Sequence, residues 1–334
     1  MISIRFEDPE GRPLPLARPG QYLTLRVHPA STEASVLRNY SLSGPPGAGY
    51  YRITVKREHD GAASGYLHTR LAIGDELEVA APRGTFILDA TQAPVLLISA
   101  GIGATPVLAM LHALAEQRSA REVWWLHGAR SGREHSFAAE ARTLLGSLAN
   151  VRSRVYYSHP GASDLEGRDF DVAGRLAATV LAELGPAQSA EAYICGPAPF
   201  MDEISAALVA VGLGAAQIHT EPFGPAAPLT PGIAQAPTRA PHLPAGRPGE
   251  GPKIEFARSN LAVPWSDDFA SLLEFAEACD VPVRWSCRTG VCHSCETTLV
   301  AGELDYSPDP VEPPAEGSAL ICCSRPRRDV VLDL

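Results

Sequence analysis

Three cysteines, Cys287, Cys292 and Cys295, follow one another as C-x4-C-x2-C, and a Cys322-Cys323 pair lies downstream, just before Arg325-Pro326. Thiolates this closely spaced must share one loop, and the loop must fold around whatever they bind. The spacing suits a [2Fe-2S] cluster, in which four thiolates hold two irons and three of them sit on one wrapped segment. A zinc knuckle would more usually show two C-x2-C pairs, and a redox dithiol needs only one. Between the cysteines, Ser286, Arg288, Thr289 and Gly290 are small or flexible residues that let backbone N–H groups turn inward toward anionic sulfur. Single-electron transfer is the chemistry this segment predicts.

The whole chain has 334 residues, enough for two or three domains with separate cores. No apolar run approaches the length of a membrane span, so no membrane insertion is expected and the protein is expected to be soluble. A formal net charge of −10 disfavours nucleic acid, whose phosphates need a basic face. The charge is unevenly spread: residues 1–223 carry 19 basic and 23 acidic groups, residues 253–334 carry 7 and 14. The cysteine-bearing end is therefore the most acidic, as a solvated surface or as a patch that steers a basic partner. Seven cysteines leave three beyond four ligands; an odd remainder without a signal peptide points to a reducing, cytoplasmic compartment.

Residues 224–252 are crowded with proline and alanine and lack apolar periodicity, which predicts a semi-rigid linker and a module over 253–334. Upstream, Pro94–Ser99, Glu122–Leu126, Arg154–Tyr157 and Ala192–Cys195 are short apolar runs. Helical stretches over Val107–Gln117, Phe137–Leu148, Val172–Leu184 and Phe200–Val211 alternate with them, predicting an α/β domain with a parallel sheet over 91–223. Before that the pattern changes to short strands with Gly/Pro turns, among them Gln21–Val27, Tyr50–Lys56 and Glu76–Val79, which predicts a small antiparallel β-barrel over 1–90.

Two further constellations carry cofactor chemistry. Gly101-Ile102-Gly103-Ala104-Thr105-Pro106 follows an apolar strand and opens a helix, where free N–H groups favour a pyrophosphate. Cys195-Gly196-Pro197 ends a later strand of the same sheet, at the carboxyl edge where open α/β folds bind ligands. Arg38-Asn39-Tyr40-Ser41, followed by Gly61-Ala62-Ala63-Ser64-Gly65, sets a phosphate-binding guanidinium and a flat ring on the same side of one strand. Taken singly, Tyr40 reads as barrel core and Arg38 as surface.

Together, in this order, these motifs resemble the ferredoxin–NADP reductase superfamily from about residue 4 to residue 223. Val55-Lys56-Arg57-Glu58, Ser64-Gly65-Tyr66-Leu67-His68, His127-Gly128-Ala129-Arg130 and Glu221-Pro222-Phe223-Gly224-Pro225 are especially similar to the reductase half of flavohaemoglobins. The last segment resembles plant-type ferredoxins, whose α+β fold is a β-grasp. With that module attached, the chain resembles the reductase components of multicomponent oxygenases. In the ferredoxins the last ligand stands four positions before a proline, which selects Cys322 to join Cys287, Cys292 and Cys295 and leaves Cys323 spare.

The resemblance implies further roles. Arg38 would bind the flavin phosphate, Tyr40 would stack on the isoalloxazine, and Gly61 to Ser64 would close around the pyrophosphate, implying FAD, with FMN the alternative. Gly101 and Gly103 would face the dinucleotide, Thr105 and Cys195 would flank the nicotinamide, and Gly196 and Pro197, turning the chain at that edge, would complete the cofactor site. Glu221 and Phe223 would lie at the other flavin face, Phe223 holding the place the nicotinamide must take. Ser41, near flavin N5, and Cys195 would be the residues at the reacting atoms, hence the catalytic pair. NADH is implied over NADPH, although Arg130, Ser131 and Arg133 follow the second strand of the nucleotide domain. Relatives carry one more strand before Ile2–Phe6, so the barrel is expected to lack its first strand.

The expected function is that of an NADH-dependent iron–sulfur flavoprotein reductase, passing electrons from NADH to flavin, to the cluster and to an oxygenase or similar acceptor protein. A nicotinamide gives two electrons as hydride and the cluster takes one at a time, so a flavin must stand between them. Its rivals are an electron-transfer module belonging to a larger fusion, and a flavin enzyme whose ferredoxin module senses redox state. Hydride transfer needs no general acid from the protein, so His59, His68, His127 and His293 are read as structural or surface residues.

Overall fold

A computed structural model describes the chain except residues 30–34, 60, 224–239, 247–248 and 286. The expectations for Ser286 and for the first part of the linker, with Gly224-Pro225, therefore lie outside the described residues. The chain forms two compact units, Met1–Phe223 and Gly224–Leu334.

The first unit opens with β1 (Ile2–Phe6), β2 (Tyr22–Val27), β3 (Val36–Ser41) and β4 (Tyr51–Val55), then α1 (Ala62–Thr69) and β5 (Glu78–Val79). β1 pairs with β4 and β2 lies between β3 and β5, all antiparallel, with a bridge from Leu42 to Ile53 joining the two ribbons. Leu23, Leu25 and Val27 alternate inward along β2 and meet Ile53, Val55 and Leu67, so the two sheets share one barrel-like core of period-two side chains with α1 packed against them.

Residues 89–93 leave the barrel for the nucleotide domain and are held by Arg121, which is nearly fully buried and donates to the carbonyls of Asp89 and Ala93. There follow β6 (Val95–Ala100), α2 (Ala104–Glu116), β7 (Val123–Ala129), α3 (Ala138–Leu145), β8 (Val151–Tyr157), β9 (Val172–Ala173), α4 (Ala178–Leu184), β10 (Glu191–Gly196), α5 (Ala198–Ala210) and β11 (Ile218–Pro222). All six strands are parallel, in the order β11-β10-β6-β7-β8-β9. Val95 and Leu97 of β6 face one apolar cluster and Leu96 and Ile98 the other, which explains its unbroken apolar run.

Two expectations are corrected here. Residues Val172–Leu184 are not one helix: Val172 and Ala173 pair with Tyr156 and Tyr157 as an edge strand, Gly174 turns the chain at φ +138, and the helix starts at Ala178. The helix expected over Phe137–Leu148 spans only Ala138–Leu145, with Phe137 in the left-handed region before it.

The second unit contains β12 (Lys253–Phe256), β13 (Leu261–Pro264), α6 (Leu272–Ala278), β14 (Glu296–Ala301), β15 (Leu304–Tyr306), β16 (Ser318–Leu320), β17 (Ser324–Pro326) and β18 (Val330–Leu332). A mixed five-stranded sheet, β13-β12-β18-β14-β16, packs against α6 through Phe256 and Phe275, the β-grasp arrangement. Ser271 caps α6 by accepting the Glu274 N–H. The described part of the expected linker is bonded to this unit: His242 N–H donates to Cys279 O at 2.9 Å and Gly251 N–H to Trp265 O at 3.0 Å.

Candidate functional site

The loop from Cys287 to Cys295 leaves α6 and returns into β14, and Cys322 comes from the turn after β16. Cys287 and Cys292 are partly exposed, whereas Cys295 and Cys322 are buried. Backbone N–H groups point at the sulfurs: Gly290 at Cys322 Sγ, 3.3 Å; Val291 and Cys292 at Cys287 Sγ, 3.3 and 3.4 Å; Cys287 at Cys292 Sγ, 3.4 Å. This is a donor set for anionic sulfur. It is reached because Arg288, Gly290 and His293 adopt φ of +55, +71 and +58. Among the described residues no three His, Cys, Asp or Glu side chains gather as tightly as one ion requires; a two-iron cluster shares its four thiolates between two irons. Cys323 is buried against the same loop: a Cβ on Gly290 would meet its Sγ at 2.7 Å. His293 Nδ1 is engaged by the Glu296 carboxylate at 2.7 Å.

At the barrel, Arg38 and Tyr40 alternate on β3 opposite Leu25 and Leu23. Arg38 is exposed and donates to Leu37 O, and among the described residues no carboxylate pairs with it. Tyr40 lies partly against the barrel core, and burial pushes its phenol up to about 12 against the opposing effect of Arg38. Ser41 is buried at the end of β3. The glycine-rich stretch opens a helix: Gly61 precedes α1 with no side-chain cap, so the first N–H groups of α1 are available to an anion. Ser64 folds back, accepting Glu58 N–H and donating to Gly61 O, and a Cβ on Gly61 would meet its Oγ at 2.3 Å. The helical signal was the pairing of Ala63 with Leu67 four residues on, both of them buried.

In the nucleotide domain β6 is flanked by β7 and β10, so the connections leave it in opposite directions and open a crevice at its carboxyl end. Gly101–Gly103 forms a single tight turn there, leading into α2. Gly101 has φ +55 with open space where a Cβ would stand, so nothing of the chain blocks approach to its backbone. A Cβ on Gly103 would strike Cys195 O at 2.1 Å, so a glycine here lets the turn pack on β10. Gly196 likewise makes room for Phe200. Thr105 is buried, its hydroxyl donating to Ile102 O. Cys195 is fully buried and donates to Glu221 O at 3.1 Å, and burial, then the Glu221 charge, hold its thiol well above the ordinary range. Pro197 turns the chain into α5, and Phe223 packs on the cluster that contains Cys195.

The histidines are engaged in the fold. His68 binds Val55 O, and His127 is fully buried beside Ser99, its imidazole depressed to about 3 by burial and then by His135, so it is neutral at physiological pH. Glu221, between Cys195 and the end of β11, has its carboxyl pushed up to about 7 by loss of hydration. Such a group binds its proton more tightly in the folded state, so its contribution to stability is present at low pH and is lost as pH rises through about 7. Glu221→Gln should flatten the pH dependence of the urea midpoint between about pH 5 and pH 8 and stabilise the protein by about 1–3 kcal/mol at the upper end. An unchanged pH slope would show that this carboxyl ionises freely.

Three family models match successive stretches of the chain. They are an oxidoreductase FAD-binding domain over residues 5–87, an oxidoreductase NAD-binding domain over 97–206, and a 2Fe-2S iron-sulfur cluster binding domain over 255–327. A flavohemoprotein of Deinococcus radiodurans is 42% identical over 233 residues, 70% of this chain and 58% of that protein. The chain thus spans somewhat more than half the length of the curated relatives it matches. Among solved structures, the flavohem-like FAD/NAD binding domain of nitric oxide dioxygenase from Vibrio cholerae has a TM-score of 0.61 at 36% identity, covering 67% of this chain and 92% of that one. Phthalate dioxygenase reductase, described as a modular structure for electron transfer from pyridine nucleotides to [2Fe-2S], has a TM-score of 0.54 at 25% identity and covers 99% of this chain and 92% of its own. The order of the three domains, the crevice at the end of β6 and the N–H-lined cysteine loop agree with those matches: the chain belongs to the ferredoxin-reductase-type oxidoreductases, with FAD-binding and NAD-binding domains followed by a 2Fe-2S domain.

Proposed function

We propose that this chain takes electrons from NADH in preference to NADPH and delivers them singly, through its [2Fe-2S] unit, to a separate acceptor protein of the oxygenase type. The observation that carries the reading is the union on one polypeptide of a flavin domain, a nucleotide domain and a cluster domain. When bound, nicotinamide, flavin and cluster supply a hydride, a change from two-electron to one-electron chemistry, and a one-electron relay. The chain's own part is to bind and align. Arg38 and the open start of α1 would hold flavin phosphates, Tyr40 would back the ring, and Ser41 would lie at its reactive edge. The turn at Gly101 and the end of β10, Cys195-Gly196-Pro197, would hold the dinucleotide, with Glu221 and Phe223 beside the ring. Cys287, Cys292, Cys295 and Cys322 would hold the cluster. No general acid is asked of the chain, and the neutral, buried His127 is in keeping with that.

The acceptor reading is supported by the phthalate dioxygenase reductase likeness and by the acidic excess of residues 253–334, which would attract a basic surface. Seven cysteines without a disulfide among them support a reducing cytoplasm. Among the described residues no helix is long and apolar enough to cross a membrane.

An anaerobic titration followed in the visible spectrum tests the proposal. NADH should bleach the flavin and the cluster together, with an endpoint near about one and a half equivalents, because the pair takes three electrons. A cluster band unaffected by NADH would overturn the electron path, and a kcat/KM for NADPH equal to or above that for NADH would overturn the preference.

A further inference from the structure

Hydride transfer requires the flavin on the barrel and the nicotinamide on the parallel-sheet domain to meet at near contact distance, so whatever sets the angle between the two domains sets the rate. Within Met1–Phe223 Asp89 meets Arg121 and the Tyr193 hydroxyl where the chain passes between the domains, and a second polar cluster joins the barrel strand β4 to α2 and α3. Arg52, on β4, donates to both carboxylate oxygens of Glu140 on α3, at 2.7 and 3.2 Å, and Glu140 Oε1 lies 2.6 Å from His112 Nε2 on α2. Arg52 also binds the backbone carbonyl and the hydroxyl of Ser43, and its guanidinium stands 5.7 Å from the centre of the Phe137 ring.

The two ends of this chain of contacts lie on elements that lead to the two proposed cofactor sites. Ser43 is two residues beyond Ser41, and His112 lies on the helix that starts at the Gly101–Gly103 turn. The cluster is well shielded: the Arg52, His112 and Glu140 side chains are 16%, 13% and 29% exposed. Burial works against ionisation of Glu140, but the hydrogen bonds from His112 and Arg52 hold its carboxyl below the usual range. Apolar packing does not fill the neighbouring space. A groove of about 250 Å³, lined by Pro19, Gly44, Arg52 and Ala109 among others, runs alongside. Phe86 packs into the apolar cluster of the nucleotide domain elsewhere, and beside the groove the ion-paired cluster adds a directional contact to it.

We propose that Arg52, Glu140 and His112 form a clamp that fixes the flavin-bearing strand against the helix leading from the nucleotide turn, and that they are positioning residues for hydride transfer. The inference rests on the flavin and nicotinamide reading above. It assigns these three side chains no contact with either cofactor; they act through Ser43 and α2.

The test uses the full chain loaded with flavin and cluster, in anaerobic stopped flow with NADH and with NADH deuterated at C4. Native protein must first show flavin reduction by NADH; its failure there would sink the functional reading and not the clamp alone. Glu140→Gln should keep flavin content, cluster absorbance and apparent NADH affinity while the limiting rate of flavin reduction falls by roughly ten- to a hundredfold. A deuterium isotope effect should persist on the slowed step. Arg52→Met should give a similar loss, the two together little more than either, and the exchanged pair Arg52→Glu with Glu140→Arg should recover part of the rate. A native limiting rate in Glu140→Gln overturns the proposal. So does a slowing fully accounted for by lost flavin or a lowered melting temperature, or one that appears only as weaker NADH binding.

Discussion

Cys322→Ser is expected to yield protein without a stable [2Fe-2S] chromophore, and Cys323→Ser protein that keeps it. Both sulfurs are buried and adjacent in sequence, but their surroundings differ. Cys322 Sγ receives the Gly290 N–H at 3.3 Å, from the same loop that carries Cys287 and Cys292. Cys323 Sγ instead points toward Leu320 O at 3.6 Å and fills the space beside the Gly290 α-carbon. A serine at 322 offers an oxygen where the cluster needs a soft thiolate and leaves one iron short of its ligand. At 323 a serine can donate to the same carbonyl and merely loosens the packing, a change of about 1 kcal/mol or less. Visible absorbance and iron content of the purified variants decide the matter. Retention of the cluster in Cys322→Ser with loss in Cys323→Ser would move the fourth ligand by one position.

Arg38→Ala is expected to purify depleted of flavin. The guanidinium is exposed on β3, has no carboxylate partner among the described residues and stands near the Tyr40 ring, so its charge is available to a phosphate. Losing a hydrogen bond to a charged group costs roughly 1.5–3 kcal/mol, which weakens flavin binding by about ten- to a hundredfold. Arg38→Lys should restore part of the affinity, because the charge returns without the bidentate geometry. Full flavin occupancy at native affinity in Arg38→Ala would remove Arg38 from the site.

The cysteine spacing, the parallel α/β pattern and the barrel were legible because each is written in local periodicity: C-x4-C-x2-C, apolar runs of strand length, and inward alternation along Tyr22–Val27. The stretch Val172–Leu184 was misread for the same reason. Its composition suits a helix throughout, and only pairing with Tyr156 and Tyr157 turns its first two residues into strand β9. Gly61–Ser64 showed its small residues in the sequence but not that they open a helix; that depended on burial of Ala63 and Leu67 against the barrel. Gly103 was visible as a glycine beside a helix start, yet its need is set by Cys195, 92 positions away, whose carbonyl it must clear.

By itself the sequence determined which chemistry the chain can support, because ligand identity and spacing are covalent facts: four cysteines for a two-iron cluster, an arginine and a tyrosine two residues apart on one strand, glycines after an apolar run. The tertiary structure alone decided which groups meet. It brought Gly290 N–H onto Cys322 Sγ, set Cys195 beside Glu221, and joined Glu140 to Arg52 and to His112 across 88 and 28 positions of chain. Contacts between residues that far apart follow from the packing of sheets and helices on their apolar faces, and local sequence carries no record of which charged side chains that packing will leave face to face.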